Sequence, residues 1–199
     1  MTADSLPFAD YQMPTAKNPH GLFVLVGEAP GAQEIKQGRP FVGRSGQLLD
    51  KNLKELGILR EECMIVNVFR HQPPGNKVGH FFLSKRAAQN ANEEIAEEWG
   101  KFAGKFPRKL FAKDLDHLKK TLREKKPKVI VTLGSTPLWA LTGKEGITTI
   151  RGQKQECRFM DVPVIPTLHP SYIIRGNWNV EPLFKSDLEQ AQGILKAKS

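Results

Sequence analysis

Cysteine is nearly missing from this sequence: among 199 residues there are two, Cys63 and Cys157. They lie far apart and form no Cys-x-x-Cys pair, which excludes a four-thiolate zinc or iron–sulfur site within one chain and leaves two reduced, structural thiols. Long apolar runs are missing too. From Met1 to His20, Asp4, Asp10 and Pro14 interrupt any hydrophobic stretch, so this segment fits neither a signal peptide nor a membrane span, and an intracellular, cytoplasmic protein is expected. No internal repeat or low-complexity tract occurs. Neither Gly-x-x-x-x-Gly-Lys-[Ser/Thr] nor Gly-x-Gly-x-x-Gly is present, which weakens a nucleotide-binding regulator as a reading. Negative charge is in short supply: 21 acidic residues face 30 Lys and Arg, a formal net charge of +9. Such a surface attracts polyanions, and nucleic acid heads the candidate partners ahead of an acidic membrane.

What is present suits one compact α/β domain, with 39% hydrophobic and 26% charged residues. Leu22 to Val26 is a continuous, partly β-branched apolar run ending at Gly27, the pattern of a strand buried on both faces of a parallel sheet. Met64 to Val68, Lys128 to Leu133 and Val162 to Thr167 repeat it. Between them, Ser45 is placed to cap a helix through Leu48, Leu49, Leu53 and Leu56, ending near Gly57. Further helices are expected at Asp114 to Lys125 and Glu181 to Lys198, with a loop from Phe102 to Phe111 around Gly104 and Pro107. The expected architecture is a single α/β/α domain around a mostly parallel four-stranded sheet flanked by helices.

In an open parallel sheet, ligands bind beyond the carboxyl ends of the strands, so the loops after strands one, two and four should converge. Each is unusual. The first reads Gly27-Glu28-Ala29-Pro30-Gly31-Ala32-Gln33-Glu34 and continues through Gly38-Arg39-Pro40-Phe41-Val42-Gly43-Arg44-Ser45-Gly46. The second runs from Asn67 to Pro73-Pro74-Gly75-Asn76. The third reads Leu168-His169-Pro170-Ser171-Tyr172-Ile173-Ile174-Arg175-Gly176.

These three segments, in this order, resemble those of the uracil-DNA glycosylase superfamily, closest to its family 4. The likeness runs from about Phe23 to Gly57, through Asn67 to Asn76, and from Pro127 to Arg175, taking in Leu133-Gly134 and Arg151-Gly152. It implies residues 1–20 as an N-terminal extension and 21–199 as the glycosylase-like domain, with a longer insert near 77–111. It also implies base excision: a uracil-like base flipped out of DNA and its N-glycosidic bond hydrolysed. His169 would donate a hydrogen bond to the uracil O2 as negative charge grows there, and Glu28 would favour the sugar cation or hold the attacking water. Asn67 would read N3–H and O4, Phe41 would stack on the ring, and Ala29 and Glu34 would complete the base pocket, Glu34 crowding the C5 edge against thymine. Gly27, Gly31 and Gly43 would bring backbone amides to phosphates, joined by Arg44 and Ser171. From Ser171 to Arg175, Ile173 or Ile174 would wedge into the vacated stack and Arg175 would meet phosphate or the orphan partner. Arg39, Lys85 and Arg86 are further candidates for a duplex groove.

Family 4 resembles iron–sulfur proteins with four cysteines, one near the Asn-containing segment where this chain has His71. Neither Cys63 nor Cys157 matches those positions. No metal and no cofactor are therefore expected, and the insert is a candidate for the cluster's structural work. A monomer acting on single- or double-stranded DNA, away from membranes, is the expected working unit. Two alternatives keep the same fold: excision of a different deaminated or modified base, and a DNA-binding module that has lost cleavage.

Overall fold

The computed structural model describes residues 6–197. Residues 1–5 of the expected N-terminal extension, and Lys198 at the expected end of the last helix, lie outside the described residues.

The chain opens its sheet with β1 (Phe23–Gly27), then folds α1 (Ala32–Gln37), α2 (Arg44–Glu55) and β2 (Cys63–Asn67). The stretch expected to be an insert follows: a two-residue hairpin strand β3 (Phe82–Leu83), α3 (Lys85–Ala91) and β4 (Phe106–Pro107). α4 (Lys109–Lys125), β5 (Val129–Leu133), α5 (Ser135–Thr142) and a short α6 (Ile147–Ile150) come next. The chain closes with β6 (Gln155–Glu156), β7 (Pro163–Thr167), α7 (Pro170–Ile174) and α8 (Glu181–Lys196).

The central sheet has the order β2-β1-β5-β7-β6, parallel throughout except for β6. It therefore has five strands where the sequence suggested four. β6 escapes the sequence because it is two polar residues long, Gln155 paired with Val164 and Glu156 with Pro163, and so carries no apolar run. The long strands do carry one, because both faces are covered. Side chains alternate between two cores: Phe23 and Leu25 pack with α2 and α8, whereas Val24 and Val26 pack with α4 and α5.

Two other expectations change. Gly43, not Ser45, precedes the first residue of α2. The stretch from Phe102 to Phe111 is not one loop: Phe102 and Lys105 bridge across a tight turn, Phe106–Pro107 pairs with Phe82–Leu83, and α4 already begins at Lys109. Gly104 and Pro107 mark the turn and the strand end rather than a long irregular segment.

Part of the segment before Gly21, from Ala9 to Ala16, is stitched along β2 and its flanks. Gln12 and Ile65 exchange backbone hydrogen bonds at 2.9 Å, and the Ala9 amide donates to Arg70 O at 3.0 Å. Asp114, 3% exposed on α4, holds the loop after β2 against that helix. It accepts from the Arg70 amide at 2.9 Å, and His71 Nδ1 lies 2.8 Å from the same carboxylate oxygen. Arg70 in turn covers the Phe8 ring at 4.7 Å.

On the opposite face, fully buried Asp187 of α8 pairs with Arg151 and accepts from Thr167 Oγ1 at 2.6 Å. This joins α8 to β7 just before the third loop. Removing one partner of such a pair strands a buried charge, so Arg151→Met should lower unfolding free energy by about 3 kcal/mol in urea denaturation.

Candidate active site

The carboxyl ends of β1, β2 and β7 deliver Gly27, Asn67 and Thr167 to one edge, and the loops beyond them enclose a cavity of about 250 Å³. Of the residues expected for catalysis and base binding, Glu28, Ala29, Glu34, Phe41, Asn67 and His169 all line it. Ser171 and Arg175 stand at its wall with them.

Gly27 is the hinge of this convergence. A methyl group there would meet both the Asn67 amide oxygen and the Phe41 ring, so only glycine lets the two side chains share the floor. Asn67 is 6% exposed and its side-chain amide makes no hydrogen bond to protein among the described residues, leaving its acceptor and donors to the cavity. Phe41, also 6% exposed, lies against the His169 ring with centroids 5.8 Å apart.

His169 has a defined tautomer. The Ser171 backbone N–H donates to Nδ1 at 3.0 Å and the Ser171 hydroxyl lies 2.7 Å from the same nitrogen. A ring nitrogen that accepts carries no proton, so the neutral imidazole holds its hydrogen on Nε2. Desolvation, reinforced by the Arg175 charge, pushes the His169 pKa down to about 4. The ring is a neutral donor across the physiological range. Glu28 moves the other way: burial raises its carboxyl above the usual value, while Thr136 Oγ1, donating at 2.5 Å, and Arg175 favour the charged form.

Glu34 does something the sequence did not show. Its carboxylate accepts from the amides of Gly31 at 3.2 Å and of Val42 and Gly43 at 3.1 Å each. The expectation that the Gly31 and Gly43 amides face phosphate is corrected: both are already engaged by Glu34. At Gly27 the structure shows close approach, its backbone lying against the Asn67 amide and the Phe41 ring.

Arg60, which sequence reasoning missed, completes the loop from outside. Its guanidinium donates to Pro40 O at 2.8 Å and Phe41 O at 3.1 Å, and is itself fixed by Gln12 Oε1 at 2.9 Å and Asp50 at 2.5 Å. Phe41 has φ +51°, a left-handed conformation that costs a non-glycine residue about 1 kcal/mol or more. Nothing in the local sequence marks Arg60, whose partners lie about twenty residues back along the chain.

The wedge expectation also changes. Ile173 is fully buried in the core with α2 and α8, and Ile174 packs partly against it. The exposed apolar side chain of this turn is Tyr172, 48% accessible. Arg44 and Arg175 are exposed and make no ion pair among the described residues, whereas Lys85 pairs with Glu97 at 2.6 Å.

The donor set does not fit an iron–sulfur cluster. Cys63 is buried within β2, where its Sγ donates to Leu59 O at 3.4 Å and its thiol is pushed up to about 12. Cys157 is buried elsewhere, and His71 is occupied by Asp114. No group of three His, Cys, Asp or Glu side chains among the described residues could hold a metal ion.

Fold and site together define an α/β protein whose parallel sheet carries a small hydrogen-bonding cavity at its carboxyl edge, built from an amide, an imidazole and a carboxylate. The family model described as the uracil DNA glycosylase superfamily matches residues 14–191. A type-4 uracil-DNA glycosylase of Thermotoga maritima is 34% identical over 185 residues, covering 87% of this chain and 77% of the relative. One from Sulfurisphaera tokodaii is 29% identical over 195 residues, 94% of this chain and 76% of the relative. The chain belongs to the uracil-DNA glycosylase superfamily.

Arg60→Lys keeps the charge but cannot bridge two carbonyls, so single-turnover base release should fall roughly tenfold through a displaced Phe41, with melting behaviour changed little. A second outcome concerns pH. A histidine held at about 4 when folded and near 6.5 when unfolded contributes stability above pH 6.5 that is lost as pH falls toward 4. Between pH 7 and 5, urea denaturation should show the wild type losing about 2 kcal/mol more than His169→Asn.

Proposed function

We propose that this protein is a monofunctional uracil-DNA glycosylase that removes uracil from DNA in base-excision repair, leaving an abasic site. The observation that carries this reading is a neutral imidazole, protonated on Nε2, sharing one cavity with an unpaired carboxamide.

Uracil leaves when its C1′–N1 bond breaks with both electrons going to the base, so negative charge spreads onto O2 while the sugar becomes cationic. His169 Nε2–H donates to O2, and the bond strengthens as that charge develops; such a donor contributes about 3 kcal/mol. Remaining neutral is the useful state, since desolvation has already been met by the fold rather than by the reaction. Asn67 accepts from N3–H and donates to O4, a pattern that cytosine mismatches. Phe41 gives the base its apolar wall. Glu28, oriented by Thr136, faces the cationic sugar and holds the water that adds to C1′; the water's proton passes to solvent or carboxylate, and the uracil anion is protonated on release.

Tyr172 takes the place expected of Ile173 at the gap left by the flipped base, and Arg175 and Arg44 meet phosphate. Glu34 shapes the wall near the C5 edge through the loop it holds. The protein acts as a monomer on intracellular DNA, and no helix among the described residues is long and apolar enough to cross a membrane.

The test is release of free uracil from a uracil-containing oligonucleotide in excess chelator. Folded His169→Ala should lose at least tenfold in single-turnover rate while keeping most DNA affinity. Wild-type rates in that variant would remove His169 from the chemistry; release of a different base but not uracil would reassign the pocket.

A further inference from the structure

A second cavity of about 410 Å³ adjoins the first and shares Glu28, Asn76, His169, Ser171 and Arg175 with it. Its remaining wall joins apolar side chains to the hydroxyls of Ser135, Thr136 and Thr148. Val78 and Phe102 come from the insert, Ile147 from α6, and Tyr172 stands at the rim. Phe102 is backed by Phe82 and Trp139, with ring centroids 5.3 and 5.5 Å away, so the ring cannot retreat when a ligand presses on it. Excision at the first cavity makes no use of Val78, Phe102 or Ile147.

A flipped nucleotide remains covalently joined to its neighbours, and the shared lining gives the strand a continuous path from the first cavity to the second. Arg175 lines both and makes no ion pair among the described residues, which suits the phosphodiester between two nucleotides. Beyond that phosphate, the part of a DNA strand that matches an apolar wall with an aromatic rim is the flat face of a base.

We infer that the second cavity receives the base of the nucleotide flanking the flipped one, with the insert's Val78 and Phe102 as its wall. This rests on the glycosylase reading of the first cavity. The ligand is a deoxynucleotide whose base is unpaired, because a base held in a duplex keeps its own stacking partners. The enzyme therefore favours single-stranded or frayed DNA, and the insert is a substrate-binding element.

The experiment measures single-turnover uracil release from single-stranded oligonucleotides in which the neighbour on the 5′ or the 3′ side of uracil is an abasic tetrahydrofuran. One of the two replacements should raise the half-saturating enzyme concentration about tenfold and leave the maximal rate within about twofold. Val78→Ala and Ile147→Ala, each checked for wild-type melting, should weaken the ordinary substrate similarly and add nothing on the abasic one. If neither replacement matters while uracil is still released, this inference fails and the glycosylase reading stands. Equal weakening of ordinary and abasic substrates by the variants would also overturn it. No release from any substrate would remove the glycosylase reading and this inference with it.

Discussion

Two charges of opposite sign hold the loop between β1 and α2, and the site depends on them. Glu34 gathers the amides of Gly31, Val42 and Gly43; Arg60 gathers the carbonyls of Pro40 and Phe41. A loop of this length has backbone donors and acceptors that no ladder satisfies, and water would otherwise take them. Using ionised groups makes each bond stronger and fixes the peptide planes, so that Phe41 is kept at φ +51° with its ring over Gly27. The same close packing explains Gly46, where a methyl group would collide with the Phe41 carbonyl.

Electrostatics inside the cavity follow from this enclosure. Desolvation acts on His169 and Glu28 alike but with opposite effect on their pKa values, since it disfavours whichever form is charged. Arg175 then lowers both, keeping the imidazole neutral and drawing the carboxyl back toward its ionised form. One cation at the rim thus acts on both groups, reinforcing the effect of burial on the imidazole and opposing it on the carboxyl.

The periphery is tied to the same frame. Gln12, from the segment before the sheet, holds Arg60, and Asp114 on α4 holds the loop that follows Asn67. At the loop that follows Asn67, the chain places His71, Asp114 and an aromatic group including Phe8 and Phe111. Ion pairing and aromatic packing thereby fix the loop after β2 against the N-terminal segment.

Much of this was legible in the sequence. Apolar runs located the four long strands because strands covered on both faces must be apolar at every position, and the resemblance of three motif loops pointed to His169, Glu28, Asn67, Phe41 and Ala29, which line one cavity. Sequence also carried the mismatch between two scattered thiols and a cluster. What it did not carry were relations between residues remote along the chain. The polar, two-residue β6 is a strand only because β7 is beside it. Glu34 and Arg60 look like surface charges until the fold brings unsatisfied amides and carbonyls to them. Ile173 and Tyr172 are neighbouring large side chains, and the pitch of α7 over the core leaves Ile173 buried and Tyr172 facing solvent. Local pattern determined which groups the chain has and where its strands lie; three-dimensional packing decided which backbone atoms lacked partners, and so which charges became structural and which stayed at the surface.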